Sequence, residues 1–114
     1  MKKLIVSLAV ALSLPAWAAP TDSETYAMFG PYDCGQWFAG STRPNAKTWL
    51  LGVLSGQSYM YWAIGNRGDP LKGVQSAQQI FLWMDNWCQA HPLDEVMNGS
   101  QMLFVELIKK QKNK

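Results

Sequence analysis

Apolar positions along the chain fall into runs separated by polar or turn-forming segments, and the first run differs from the rest. Leu4 to Leu14 is almost continuously apolar, follows the positive Met1-Lys2-Lys3, and is succeeded by Pro15-Ala16-Trp17-Ala18 with its small-x-small ending. That is the pattern of a cleavable secretory signal peptide over 1–18. The run is shorter than the roughly 20 apolar residues a permanent span needs, and no later stretch is apolar for that long, so stable membrane insertion is not expected.

The remaining runs have helical spacing. Residues 19–31 are polar and ragged and read as a flexible lead-in. Asp33, with Gln36 three residues on, predicts a capped short helix that carries Cys34, Trp37 and Phe38 and ends at Gly40 before Ser-Thr-Arg-Pro. Asn45 reads as the N-cap of a longer helix over about Ala46 to Ile64. Its Trp49, Leu50, Val53, Leu54, Tyr61, Trp62 and Ile64 cover so wide a sector, with so little charge, that it is expected to be mostly enclosed. Gly52, Ser55 and Gly56 would let another backbone come close. Gly65 to Gly73 reads as an exposed loop. Ser76 with Gln79 resembles a capping box before Val74, Ala77, Ile80, Phe81, Met84, Trp87 and Cys88 recur at helical spacing as far as Ala90. Pro92 fits the first turn of a last helix, with Asp94 and Glu95 at its positive end, Val96, Met97, Leu103, Phe104, Leu107 and Ile108 on its stripe, and Asn98-Gly99 as a place to bend or split. No segment alternates with period two. The expected fold class is therefore all-α, a bundle of about four helices over 32–108, followed by a basic tail over 109–114.

Charge changes meaning once the leader is set aside. The chain has ten Lys and Arg against eight Asp and Glu. Loss of Lys2 and Lys3 leaves eight against eight, so the basic excess belongs to the leader. Four of the remaining bases, Lys109, Lys110, Lys112 and Lys114, lie in the tail. They suit a solvated helix end that complements the macrodipole, and anionic surface binding is the weaker reading. No nucleic-acid partner is expected.

Export also changes the reading of the two cysteines, because an oxidising compartment favours pairing, and with only Cys34 and Cys88 the connectivity is forced. Two cysteines and the single His91 do not make a structural zinc set, so no metal is expected. No cofactor loop, HExxH pair or GxSxG elbow occurs, and Asp94 and Glu95 are neighbours rather than converging carboxylates. No catalytic residues are assigned and an enzyme is not expected.

Two short motifs sit on these elements. Arg67-Gly68-Asp69 is the integrin tripeptide on a predicted loop, better read as turn chemistry. Asn98-Gly99-Ser100 is a formal glycosylation acceptor, better read as a helix break or packing notch. Trp37, Trp49, Trp62, Trp83 and Trp87 are more tryptophan than so small a core easily encloses. Trp62, Trp83 and Trp87 are accordingly the candidate partner-binding residues, against the alternative that they fill a thin bundle.

Three segments carry a family resemblance. Tyr32-Asp33-Cys34-Gly35-Gln36-Trp37-Phe38, then Trp49-Leu50-Leu51-Gly52-Val53-Leu54-Ser55-Gly56, then Trp83-Met84-Asp85-Asn86-Trp87-Cys88-Gln89-Ala90-His91-Pro92-Leu93 resemble the HdeA/HdeB-like small periplasmic helical proteins. The resemblance implies periplasmic localisation in a Gram-negative bacterium, one disulfide, a homodimer at neutral pH and, in the best-known members, a stress chaperone that binds client proteins when protonated. Protonating eight carboxylates and His91 would make a neutral mature chain strongly cationic, which is compatible with that behaviour. The chain also looks similar in plan to the Tai family of exported immunity proteins, which implies an alternative, a periplasmic inhibitor that neutralises one specific toxin; a virulence or conjugation accessory factor that binds one envelope protein is a third reading. In each case the expected partner is another protein.

Overall fold

A computed structural model describes residues 29–112 of this chain; the expected signal peptide and most of the lead-in lie outside the described residues. The elements are α1 (Cys34–Phe38), α2 (Arg43–Gly65), a 3-10 turn (Pro70–Gly73), α3 (Ala77–Ala90) and α4 (Val96–Lys112). Among the described residues there is no strand, only an isolated antiparallel bridge between Asp33 and Glu95. The all-α bundle with one disulfide is thus the fold of the described chain.

A five-residue helix has too few internal hydrogen bonds to persist alone, and α1 is held from outside. Asp33 Oδ1 accepts from Gln36 N at 2.7 Å and Gln36 Oε1 accepts from Asp33 N at 3.0 Å, the reciprocal cap the sequence predicts. Cys34 is bonded to Cys88 across 54 positions, with Cα atoms 5.1 Å apart. Cys34 N donates to Asp94 O and Val96 N to Tyr32 O, tying α1 to the start of α4. Trp37 is fully buried between α2 and α3, where its indole N–H donates to Asp85 Oδ1 at 2.7 Å. Arg43 donates to that same oxygen at 2.9 Å and to Trp37 O at 3.2 Å, with its guanidinium over the Trp37 ring. The core continues through Ala46, Leu50 and Leu54 of α2, Ile80, Phe81, Met84 and Cys88 of α3, and Val96 and Leu103 of α4.

Several sequence expectations are corrected. α2 begins at Arg43, so Asn45 lies inside its first turn rather than capping it. Pro44, whose missing N–H costs nothing there, suits the first turn, and Arg43 N and Ala46 N are received by Ala39 O and Thr42 O as the chain leaves α1. The helix ends on Asn66 in the left-handed region (φ 47°). Ser76 flanks α3 without a side-chain cap; Gln79 Oε1 accepts instead from Gln75 N. The segment expected as plain loop contains the 3-10 turn, capped by Asp69. Pro92, Asp94 and Glu95 precede α4 rather than occupying its first turn, and α4 runs unbroken through Asn98-Gly99. Gly99 is a packing notch: a Cβ there would lie 2.7 Å from Trp87 Cε3 and 2.8 Å from Met84 Sδ. Nor is α2 mostly enclosed. Tyr59, Met60, Trp62 and Ile64 are exposed, and no neighbour approaches Gly52 or Gly56. The last turn of α4 takes in Lys109, Lys110 and Lys112, cations where the dipole is negative.

Candidate functional site

The C-terminal half of α2 extends past the buried layer, and the chain returns beneath it through Asn66 to Gly73. That return leaves a cleft of about 810 Å³ between the end of α2, the 3-10 turn, α3 and the last turns of α4. Its floor is apolar and buried: Pro70, Ile80 and Leu103. Trp83, Leu107, Val74, Leu82 and Trp62 form its walls. Leu82 and Trp62 are 61% and 55% exposed, so the cleft presents carbon to solvent rather than hiding it.

The polar groups around this cleft are mostly committed to the fold. Trp83 Nε1 donates to Glu106 Oε2 at 2.7 Å, which spends the indole N–H and leaves its rings as wall. Glu106 also pairs with Lys110 at 3.4 Å, both side chains well exposed. Asp69 accepts from Ser58 Oγ and, at 2.9 Å, from Leu71 N, so its carboxylate caps the 3-10 turn and anchors it to α2. Lys72 lines the same cleft and makes no ion pair among the described residues. A second, shallower hollow shares Trp62, Asp69 and Lys72 and adds Tyr59, whose ring lies 6.2 Å from that of Trp62.

Of the three candidate tryptophans, the structure brings Trp62 and Trp83 to one cleft and places Trp87 elsewhere. Trp87 stacks on His91, ring centroids 4.5 Å apart, and packs against Gly99. His91 Nδ1 lies 2.8 Å from Trp87 O, which orients the imidazole at the end of α3. Asp94 nearby has its carboxyl held below the ordinary carboxylate value, first by the Asn98 amide that donates to it, then by Glu95 N–H and the neighbouring His91, with slight burial opposing.

The short motifs are absorbed by structure. In Arg67-Gly68-Asp69 the arginine lies over the Tyr61 ring, the glycine abuts Gln111, and the aspartate is hydrogen-bonded as described. In Asn98-Gly99-Ser100 the last two residues are buried and Ser100 Oγ donates to Met97 O. Among the described residues no three His, Cys, Asp or Glu side chains stand together as a metal site, and no helix is long and apolar enough to cross a membrane.

Sequence reasoning missed Leu82, Val74, Lys72 and Lys110 as parts of one cavity. Leu82 carried a signal, since it is apolar and lies off the stripe formed by Ile80, Phe81, Met84 and Cys88. No family model, no curated protein and no solved structure matches this chain.

Proposed function

We propose that the chain is an exported periplasmic protein that acts by binding another protein, the partner class that the resemblances to the HdeA/HdeB-like proteins and to the Tai immunity proteins both imply. The observation that supports this reading is the end of α2, where Tyr59, Met60, Trp62 and Ile64 are all exposed within six residues. Apolar and aromatic residues gathered on a surface are the usual composition of an interface core. The opposite end of the bundle, fixed by the disulfide and the Trp37–Asp85–Arg43 cluster, supplies a rigid base from which that surface projects.

Two modes of binding follow. A client-binding chaperone would engage many partners once acid loosens the fold. An immunity or accessory protein would engage one partner with the fold intact. The second is favoured by one feature: the α2 surface is already exposed in the folded, disulfide-bonded chain, so docking there needs no unfolding. Affinity capture from a periplasmic extract at pH 7, run beside an aggregation assay at pH 2 to 3, separates them. One stoichiometric partner at pH 7, lost in Tyr59→Asp and Ile64→Asp, supports the single-partner mode. Suppression of aggregation of several unrelated clients only in acid supports the chaperone mode, and the absence of both results would overturn the binding proposal.

A further inference from the structure

From the face that α2 and α4 share at the end of the bundle opposite the disulfide, we infer that this protein also docks peripherally on an anionic lipid bilayer. Such docking is a second interaction, beyond the capture of a protein partner.

Three contacts gather this face. The Tyr61 ring meets Phe104 edge-on with centroids 5.8 Å apart, which sets α2 against α4. Arg67 lies over the Tyr61 ring, 5.3 Å from its centroid, and Gly68 abuts Gln111 in the last turn of α4. Arg67 is thereby brought to the same end as Lys109 and Lys112. Met60 and Ile64 are one turn apart on α2, and Val105 and Lys112 are two turns apart on α4, so each pair shares a face of its helix. Met60, Ile64 and Val105 are all substantially exposed, and neither the cleft nor the shallower hollow takes them in.

Charge selects the occupant. Lys72 and Asp69 line the cleft together and offset each other, and Lys110 is paired with Glu106. Arg67, Lys109 and Lys112 remain, exposed and in no ion pair among the described residues. The C-termini of α2 and α4 each carry about half a negative charge, so about two positive charges stay uncompensated. The other carboxylates of the described residues, Asp33, Asp85, Asp94 and Glu95, belong to the disulfide end, where Asp85 is paired with Arg43. The 17 residues of α4 make about 25 Å of helix between Glu95 and Lys112, against a Debye length of about 8–10 Å. The acidic end therefore does not cancel the basic one, and the molecule presents one end to an anionic surface.

A protein partner is gripped through aromatic or arginine anchors seated in pockets. A bilayer needs only apolar side chains that enter the headgroup boundary and cations that meet its phosphates. Met60, Ile64 and Val105 beside Arg67, Lys109 and Lys112 supply that combination on a face outside both hollows. Among the described residues no helix is long and apolar enough to cross a membrane, so the contact is a surface one.

The test sediments the disulfide-bonded chain, freed of residues 1–18, with vesicles at pH 7. The vesicles are phosphatidylcholine alone or phosphatidylcholine with about one third phosphatidylglycerol. Binding to the phosphatidylglycerol vesicles should be at least about tenfold stronger, and should be reversed in about 0.5 M salt. Lys109→Gln/Lys112→Gln should weaken it about tenfold or more, since each cation near an anionic surface contributes about fivefold. Val105→Asp should abolish it with an unchanged circular dichroism melt, because Val105 is exposed. Lys47→Gln, whose ammonium lies over Phe81 at the disulfide end, should leave it unchanged. Equal binding to both vesicles, binding to neither, or indifference to Lys109→Gln/Lys112→Gln would overturn the inference. So would absence of vesicle binding in a chain whose capture of a protein at pH 7 is lost in that double variant, since the basic face would then belong to an acidic protein. Tyr59 lines the shallower hollow, so Tyr59→Asp should impair protein capture and spare vesicle binding, which keeps failure of either proposal distinguishable from failure of the other.

Discussion

The two ends of this bundle are built to different standards. At one end Cys34, Trp37, Met84, Cys88, Val96 and Ser100 are almost completely buried, the indole N–H has a carboxylate partner, and a disulfide closes the layer. At the other end, Tyr59, Met60 and Ile64 remain substantially exposed on α2, and Trp62 and Leu82 are exposed where they line an open cleft. The same residue classes occur at both ends, so hydrophobicity alone does not distinguish them. What differs is supply of partners: α1 and the Tyr32 to Asp33 segment cover the first end, whereas the 3-10 turn and the last turns of α4 cover the second only in part. Interior that is fully covered contributes stability; apolar surface left uncovered is available to bind.

The strongest way to break this contrast is to remove the bracing at the covered end. A Cys34→Ala/Cys88→Ala variant should lose about 4 kcal/mol in denaturant unfolding, since the closed loop spans 54 positions; a loss below about 1 kcal/mol would mean that the disulfide braces nothing. Trp37→Ala should cost about 3–5 kcal/mol, while Trp62→Ala should change stability by no more than about 0.5 kcal/mol, measured by the same method. If the two tryptophan variants were equally destabilised, the division into a covered and an uncovered end would fail.

Glycines sharpen the comparison on a smaller scale. Gly99→Ala forces a Cβ into Trp87 and Met84 and should destabilise by about 1–3 kcal/mol, whereas Gly56→Ala, with nothing near it, should stabilise α2 by about 0.5–1 kcal/mol. Thermal melts of the two variants should move in opposite directions. The smallest effect is at Asp94. Its folded-state carboxyl titrates below the unfolded one, so its contribution is present above the unfolded value, near pH 4, and is lost as pH falls through the folded value. The wild-type and Asp94→Ala stability curves should therefore run parallel above about pH 5 and converge below it, by an amount that exposure to solvent keeps small.

How much of this was legible in the chain depends on the range of the interaction. The α1 cap was readable because Asp33 and Gln36 are three apart and satisfy each other. α3 was readable because its stripe repeats at helical spacing, and the Cys34–Cys88 bond because there are only two cysteines to pair. The capping pattern points to Asn45 as the start of α2, but the decisive acceptors, Ala39 O and Thr42 O, come from the path of the turn after α1 rather than from a capping side chain. The enclosure expected of α2 failed for a related reason, since a wide apolar sector says that a helix wants cover, and only the arrangement of its neighbours says whether cover arrives.

Local periodicity, local caps and a cysteine pairing with no alternative were enough to specify an all-α chain with one disulfide. That Trp62 and Trp83 share a cleft while Trp87 stacks on His91 outside it follows from how the helices assemble. A helical stripe is a property of residues three and four apart, whereas a cavity is the space left between elements whose separation no short-range pattern encodes.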